Sequence, residues 1–330
     1  MLKVGIAGLG VISHMHMEAI SKMEDAEITA VCDCNPDKKQ QVPGMKFYEN
    51  LDDMLNEPLD CLHICLPHYL HVPTAIQAAQ HGISIFMEKP AGLDSQNLNP
   101  LISLEETYGV KLAVCLQNRY NNTTQMMKEI LQRGTYGKLK GCKAIVTWNR
   151  VHGYYDKDLW RGRLREAGGG VMLSQAIHTL ELMCEFCGDI GWVKGFTGNL
   201  LLENIEVEDT ACAHIQFKSG TSGIFYGSVT HCNNSSIEME IVLEEAVLQI
   251  KNNELRSLQN HEEKVIAADN LSSDGKDYYG SSHCQAIRAF YNELMYGNGS
   301  YVSIGDTLRV SKLIDGIIDS SQKGRRVLFS

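Results

Sequence analysis

The 330-residue chain lacks any run of the length needed to span a bilayer, about 18 or more apolar residues, and its start lacks a charged region leading into a long apolar stretch. Neither membrane insertion nor export is expected. Basic clusters are also missing: 30 Lys and Arg stand against 40 Asp and Glu, for a net charge of -10, and no stretch concentrates the cations. Such a surface works against attraction to phosphate backbones, so nucleic acid is not an expected partner. There is no internal repeat and no low-complexity tract. Of 11 cysteines only Cys184 and Cys187 form a CxxC, and no second pair follows at metal-ligand spacing. The pair reads either as helix packing or as a redox or metal element, and no metal site is expected. An odd cysteine count, with Cys61, Cys65 and Cys115 inside apolar segments, describes small buried hydrophobes in a reducing cytoplasm.

What is present is ordinary globular composition, 44% hydrophobic and 21% charged, in a chain long enough for two packed cores. The first 120 residues alternate strand-like apolar runs (3–7, 28–32, 61–66, 83–87, 112–116) with segments of helical period (12–23, 72–81, 98–108). That alternation predicts a doubly wound, mostly parallel nucleotide-binding domain over residues 1–120. After Tyr120 an amphipathic segment, 124–133, leads to alternating runs at 140–148, 210–217 and 223–230, with a turn at Lys218 to Thr221. These predict a mostly antiparallel sheet with one face packed. Helix is expected over 171–186, 284–296 and 307–321. The fold class is therefore α/β, a Rossmann domain followed by an α+β domain over residues 121–330.

Two features carry chemistry. Gly8-Leu9-Gly10-Val11-Ile12-Ser13 nearly matches G-x-G-x-x-G, lying between a strand and a helix, and Asp33 ends the second strand about 20 residues later. A carboxylate there binds a ribose hydroxyl and repels the extra phosphate of NADP, which favours NAD. Lys38 and Lys39 leave NADP open, and Asp33 could instead cap the next helix. The second feature is Glu88-Lys89-Pro90 at a strand end, where ligands bind in open α/β sheets. Lys89 is either a surface lysine or a proton carrier whose pKa burial or a cationic ring would lower, so that the amine can act as a base near neutral pH. Glu88 would orient it or bond to ribose. Leu66-Pro67-His68 ends the third strand on the same edge, with His71 either facing a cofactor or only opening the following helix. His178 follows Gly168-Gly169-Gly170 by eight residues, and Ser174 precedes it by four, on one helical face with Gln175 beside them. That face presents a hydroxyl, an amide and an imidazole to a polyol, or His178 is structural.

Together these residues resemble the glucose-fructose oxidoreductase and inositol dehydrogenase family, Gfo/Idh/MocA. The resemblance also takes in Val31-Cys32-Asp33, Gln117-Asn118-Arg119-Tyr120, Trp160-Arg161-Gly162 and Tyr279-Gly280 with His283. It implies an open carboxyl-terminal sheet that commonly forms an oligomer interface, hence a homodimer or homotetramer. It also implies that Lys89 and His178 act on a substrate carbinol or carbonyl. Gly8, Gly10, Val11, Ile12, Asp33, Leu66, Pro67, His68, His71, Glu88, Lys89, Gln117, Trp160 and Arg161 would approach the cofactor. Arg119, Tyr154, Ser174, Gln175 and His283 would meet the sugar, joined by Lys89 and His178. The family often has an aspartate where this chain has Ser174, which shifts the proton burden toward Lys89.

The expected activity is NAD-dependent oxidation of a secondary alcohol of a sugar, glycoside or cyclitol. Two alternatives share the residues. One is glycoside cleavage through transient oxidation of a hydroxyl; the other is a non-catalytic dinucleotide or sugar sensor.

Overall fold

The computed structural model describes residues 1–150, 153–270 and 282–329. The Tyr279-Gly280 pair lies outside them. The chain divides into two compact units, Met1–Leu116 with His283–Thr307, and Gln117–Ser282 with Leu308–Ser330.

The first unit is built on six parallel strands: β1 (Leu2–Ala7), β2 (Ala26–Cys32), β3 (Lys46–Tyr48), β4 (Cys61–Ile64), β5 (Ser84–Glu88) and β6 (Leu112–Cys115), in the order β3-β2-β1-β4-β5-β6. Val4, Ile6, Val31, Leu62, Ile64, Ile85 and Phe86 are all buried. Strands covered on both faces read as near-continuous apolar runs, which is why these segments are visible in the sequence. The strand order turns back between β1 and β4, so the Gly8 turn falls at the switch point where doubly wound sheets take ligands. Helices α1 (Ser13–Ser21) and α2 (His71–Gln80) are crossovers. The helix expected over 98–108 is two short pieces, Asn99–Ile102 and Leu104–Tyr108, joined at Ser103.

The expectation of one continuous domain over 121–330 differs from this division at His283–Thr307. The helix there, which we call α5 (His283–Tyr296), buries Ile287, Phe290 and Tyr291 in the first unit. Phe290 meets Phe86 with ring centroids 5.7 Å apart. Beyond the helix, Val302 accepts a hydrogen bond from Val114 N at 2.9 Å. The outer side of edge strand β6 is thereby partly covered.

The second unit carries nine strands: β7 (Leu139–Thr147), β8 (Ile190–Gly198), β9 (Thr210–Phe217), β10 (Ser222–Ser228), β11 (Glu238–Leu243), β12 (Val247–Lys251), β13 (Glu254–Gln259), β14 (Glu262–Ala268) and β15 (Val327–Leu328). Their order is β14-β13-β12-β11-β7-β10-β9-β8-β15, antiparallel throughout except for β7 beside β10. Burial alternates along β7, with Cys142, Ala144 and Val146 inside. The longer helices of this unit are α3 (Asn122–Arg133), α4 (Ile177–Cys187), which packs on β7, and most of α6 (Ile304–Lys323). None of the helices among the described residues is long and apolar enough to cross a membrane.

The helix expected over 171–186 is corrected by the structure. Val171–Gln175 forms a π-helical turn, Ala176 leaves the helical conformation with ψ of 1°, and α4 begins at Ile177. Ser174 and His178 are therefore on opposite sides of a break, and the four-residue spacing of an α-helix does not relate them.

Candidate active site

Gly8 turns the chain out of β1 at a φ of 93°, where a Cβ would sit 2.5 Å from the Cys65 carbonyl oxygen. Only glycine fits there. Gly10 is different, with no atom within 4 Å of the Cβ position. Space is left beside the start of α1, whose first turn has no side-chain cap. Uncapped N–H groups at a helix start, next to an open glycine, fit a pyrophosphate. Val11 is exposed at this point, and Ile12 holds the position before the helix. Ser13, standing where a third glycine is usual, is fully buried and donates from its hydroxyl to Gly10 O at 2.7 Å.

Asp33 ties the second strand to this turn. Its carboxylate accepts from Leu9 N at 2.8 Å, from Asn35 N at 3.0 Å and from Lys38 Nζ at 2.8 Å. Burial works against its charge, but those donors outweigh it and hold the carboxyl below its ordinary range. The residues present therefore fit an adenosine ribose and pyrophosphate, with Lys38 beside Asp33.

At the ends of β4 and β5 the structure joins two predicted loops through His71. Its ring, 1% exposed, reaches Pro90 O through Nδ1 and Leu66 O through Nε2, both at 2.7 Å. Burial lowers its ionisation, while the two carbonyl oxygens pull the other way. The ring is committed to clamping these loops. His68 is buried beside it, with ring centroids 5.9 Å apart, and Pro67 precedes the short 3-10 turn His68–Leu70.

Glu88 is buried, with Oε1 2.9 Å from His16 Nε2 and Oε2 accepting from Lys89 N at 3.2 Å. Its carboxyl lies well below the usual range: burial opposes the charge, and His16 overcomes that by hydrogen bond and by charge, helped by His283 and Lys89. Lys89 itself is half-buried, and its bond to Pro90 is cis. His283, expected to meet a sugar, lies in this unit at the start of α5, with Nε2 3.9 Å from Glu88 Oε1. His16, and His63 behind it, were missed by the sequence reading. The one signal was a histidine inside the apolar strand Cys61–Ile64, where a polar ring must find a partner.

In the second unit the glycine run has a packing reason. A Cβ on Gly170 would lie 1.9 Å from Glu208 O. That approach lets Glu208 O accept from Val171 N at 2.9 Å while its carboxylate accepts from Gly170 N at 2.8 Å and Met172 N at 3.0 Å. Glu208 thus caps the π-turn that leads to His178. Burial pushes its carboxyl up, against the pull of those N–H groups. His178 is buried in the first turn of α4.

Four predicted residues come together here. Gln175 Nε2 donates to Tyr154 Oη at 3.1 Å, Arg161 Nη1 donates to the same oxygen at 2.9 Å, and the Arg161 guanidinium lies over both Tyr154 and Trp160, 4.9 and 4.8 Å from the ring centroids. The Ser174 hydroxyl donates to Gly169 O at 3.4 Å. Arg119 is tied to α4 instead: its Nε donates to buried Glu181 at 2.7 Å, and Nη2 lies 3.3 Å from Glu185. Gln117 is buried two residues before it, in the same 3-10 turn. Cys184 and Cys187 are unpaired and buried, and their thiols are pushed up, Cys184 by burial and Cys187 first by its hydrogen bond with Cys142.

A parallel sheet with a glycine turn and carboxylate at its switch point, a lysine at a neighbouring strand end and a second α+β unit define a dinucleotide-binding oxidoreductase. Residues 2–116 match the oxidoreductase family with an NAD-binding Rossmann fold, and residues 124–249 match the GFO/IDH/MocA C-terminal domain. The chain belongs to the Gfo/Idh/MocA family, and residues 2–116 are its NAD-binding Rossmann domain. It is 31% identical over 262 residues to an inositol 2-dehydrogenase/D-chiro-inositol 3-dehydrogenase of Lactiplantibacillus plantarum, covering 75% of this chain and 71% of that one. It is 24% identical over 237 residues to the myo-inositol 2-dehydrogenase of Thermotoga maritima, covering 69% and 68%. Among solved structures, the WlbA dehydrogenase from Bordetella pertussis, in complex with NADH and UDP-GlcNAcA, aligns over 100% of this chain and 99% of that one, with a TM-score of 0.86 and 25% identity. A levoglucosan dehydrogenase with NADH and levoglucosan shares the fold at a TM-score of 0.89 and 18% identity, each chain 99% covered.

Proposed function

We propose that this chain is an NAD-dependent dehydrogenase acting on a secondary alcohol of a sugar, glycoside or cyclitol, with Lys89 as its acid and base and His178 assisting. The observation that carries the reading is Lys89 itself: a half-buried lysine at the end of β5, on the sheet edge shared with the Gly8 turn, following a carboxylate held as an anion. NAD, when bound, takes up the hydride. Lys89 takes the hydroxyl proton in oxidation and returns it in reduction, with His178 assisting. Tyr154, Trp160, Arg161 and Gln175 are the polar and aromatic group that would bind cofactor or substrate in the second unit. Lys38 is a cation beside Asp33 and leaves room for NADP, whereas the Asp33 carboxylate favours NAD.

A second copy of the chain is the proposed partner. The sheet of the second unit exposes Phe196, Ile224 and Tyr226, which suits a homodimer or homotetramer. No disulfide joins any of the 11 cysteines, all of which lie among the described residues, and that suits a cytoplasmic location. The test of the activity is a screen at 340 nm of inositols, polyols and glycosides with NAD and NADP. Turnover of one class with NAD supports the proposal. Tight NAD binding with no turnover of any carbohydrate overturns it.

A further inference from the structure

Beneath Lys89 lies a buried string of polar rings that a hydride-transfer site does not by itself require. It runs from Tyr291 Oη to His63 Nε2 at 2.9 Å, from His63 Nδ1 to His16 Nδ1 at 2.7 Å, from His16 Nε2 to Glu88 Oε1 at 2.9 Å, and from Glu88 Oε2 to Lys89 N at 3.2 Å. Tyr291, His63 and His16 are each 0% exposed. Four elements contribute, α5, β4, α1 and β5, all in the first unit.

The donors and acceptors close in two ways. With His16 doubly protonated, it donates to Glu88 and to His63, and His63 donates to Tyr291. With His16 neutral, it still donates to Glu88, while Tyr291 donates to His63 and His63 to His16. The two arrangements differ by one proton and by the direction of two hydrogen bonds, and neither leaves a ring nitrogen of the string unsatisfied. In both, the carboxylate keeps its donor. The other groups facing His16 are Cys65 after β4, Cys115 at the end of β6, and His283, whose ring centroid lies 6.1 Å away. Burial opposes charge on His16, and the Cys65 sulfur and the Glu88 carboxylate raise it to about 10 all the same. Cys115 Sγ, Glu88 and His16 are of types that bind cations, but the 2.9 Å contact between His16 and Glu88 is a hydrogen bond that a cation would have to displace.

We propose that His16, backed by His63 and Tyr291, is a positioning residue that keeps the Glu88 carboxylate fixed and anionic behind Lys89, and so controls proton exchange at the amine. The proposal rests on the reading of Lys89 as the proton carrier. The Lys89 charge is among the causes that hold the Glu88 carboxyl down, and the same attraction favours the ammonium form, so neutralising Glu88 lets Lys89 work as a base at lower pH.

The experiment is the pH profile of kcat for alcohol oxidation in Glu88→Gln, His16→Asn and Tyr291→Phe, with NAD binding followed by fluorescence. Both Glu88→Gln and His16→Asn are expected to bind NAD and to move the rising limb of the profile to lower pH by about one unit, a tenfold rate change below the limb. Tyr291→Phe, which loses one hydroxyl, is expected to move it less in the same direction. If His16→Asn does not fold, the other two variants carry the test. Folded, NAD-binding variants with the wild-type profile overturn the proposal, as does a stoichiometric metal ion in the purified protein. Lys89→Ala separates the two readings: if it turns over like wild type, the assignment of Lys89 fails. If it is inactive while the profiles stay unmoved, only the string fails.

Discussion

Gly170→Ala places a methyl group where the backbone of Glu208 already stands. The new Cβ would meet Glu208 O at 1.9 Å, Glu208 C at 2.8 Å and Glu208 N at 3.0 Å. Ordinary contact needs about 3.5 Å, so the two segments must part by roughly 1.5 Å. Three hydrogen bonds bridge them: Val171 N to Glu208 O, and Gly170 N and Met172 N to the Glu208 carboxylate. At about 1 kcal/mol for the neutral bond and about 1.5–3 kcal/mol for each charged one, the loss is on the order of 4–7 kcal/mol. For a unit of this size each kcal/mol lowers Tm by about 2–4 °C, so thermal unfolding of the second unit should fall by roughly 10 °C or more. The helix carrying His178 starts at this joint, and a misplacement of about 1 Å costs on the order of 100-fold in rate. The assay is calorimetric unfolding together with kcat and NAD affinity. NAD affinity should persist, because the Gly8 turn is in the other unit. A Gly170→Ala protein with wild-type melting and turnover refutes the claim that the glycine run exists for this close approach.

Gly10→Ala meets no protein atom within 4 Å, so it should leave Tm unchanged within about 1 °C and still weaken NAD binding at least tenfold, read by fluorescence titration. Unchanged affinity removes the pyrophosphate from that position. Arg119→Met strands the buried Glu181 carboxylate and should destabilise by about 3 kcal/mol in urea unfolding; a large rise in substrate KM with unchanged stability would instead make Arg119 a sugar ligand. The buried pair gives a pH signature. His16 is raised from 6.5 to about 10, so its contribution is complete below about 6.5 and is lost as pH rises toward 10. Glu88 is depressed from 4.5, so its contribution is complete above about 4.5 and is lost as pH falls. Unfolding free energy should therefore be highest between these limits and decline by a few kcal/mol on the alkaline side, and His16→Asn should flatten that decline; the same slope in the variant contradicts the assignment.

The first unit was legible because parallel strands buried on both faces write themselves as apolar runs, and because the Gly8 turn and Asp33 lie close in sequence. Three-residue β3 is too short to carry a period. The second unit was legible at β7, β9 and β10, whose burial alternates, and less so at its edge, where β14 shows mostly exposed residues. Glycines 168 to 170 stood out, but the reason for Gly170, Glu208, lies 38 residues past it. His16 meets Glu88 across 72 residues, and Arg119 meets Glu181 across 62, distances at which nothing local in the chain names the partner. The break at Ala176 is a matter of backbone packing, and the helical period on either side conceals it.

The account's central claim is that Lys89 moves the proton that accompanies hydride transfer. The most direct measurement is the rate of NADH formation by Lys89→Ala, saturated with NAD and with a substrate that the wild type oxidises. NAD affinity is predicted to change little, while kcat falls by about 100- to 10,000-fold. NADH formation at a rate comparable to wild type would contradict the claim.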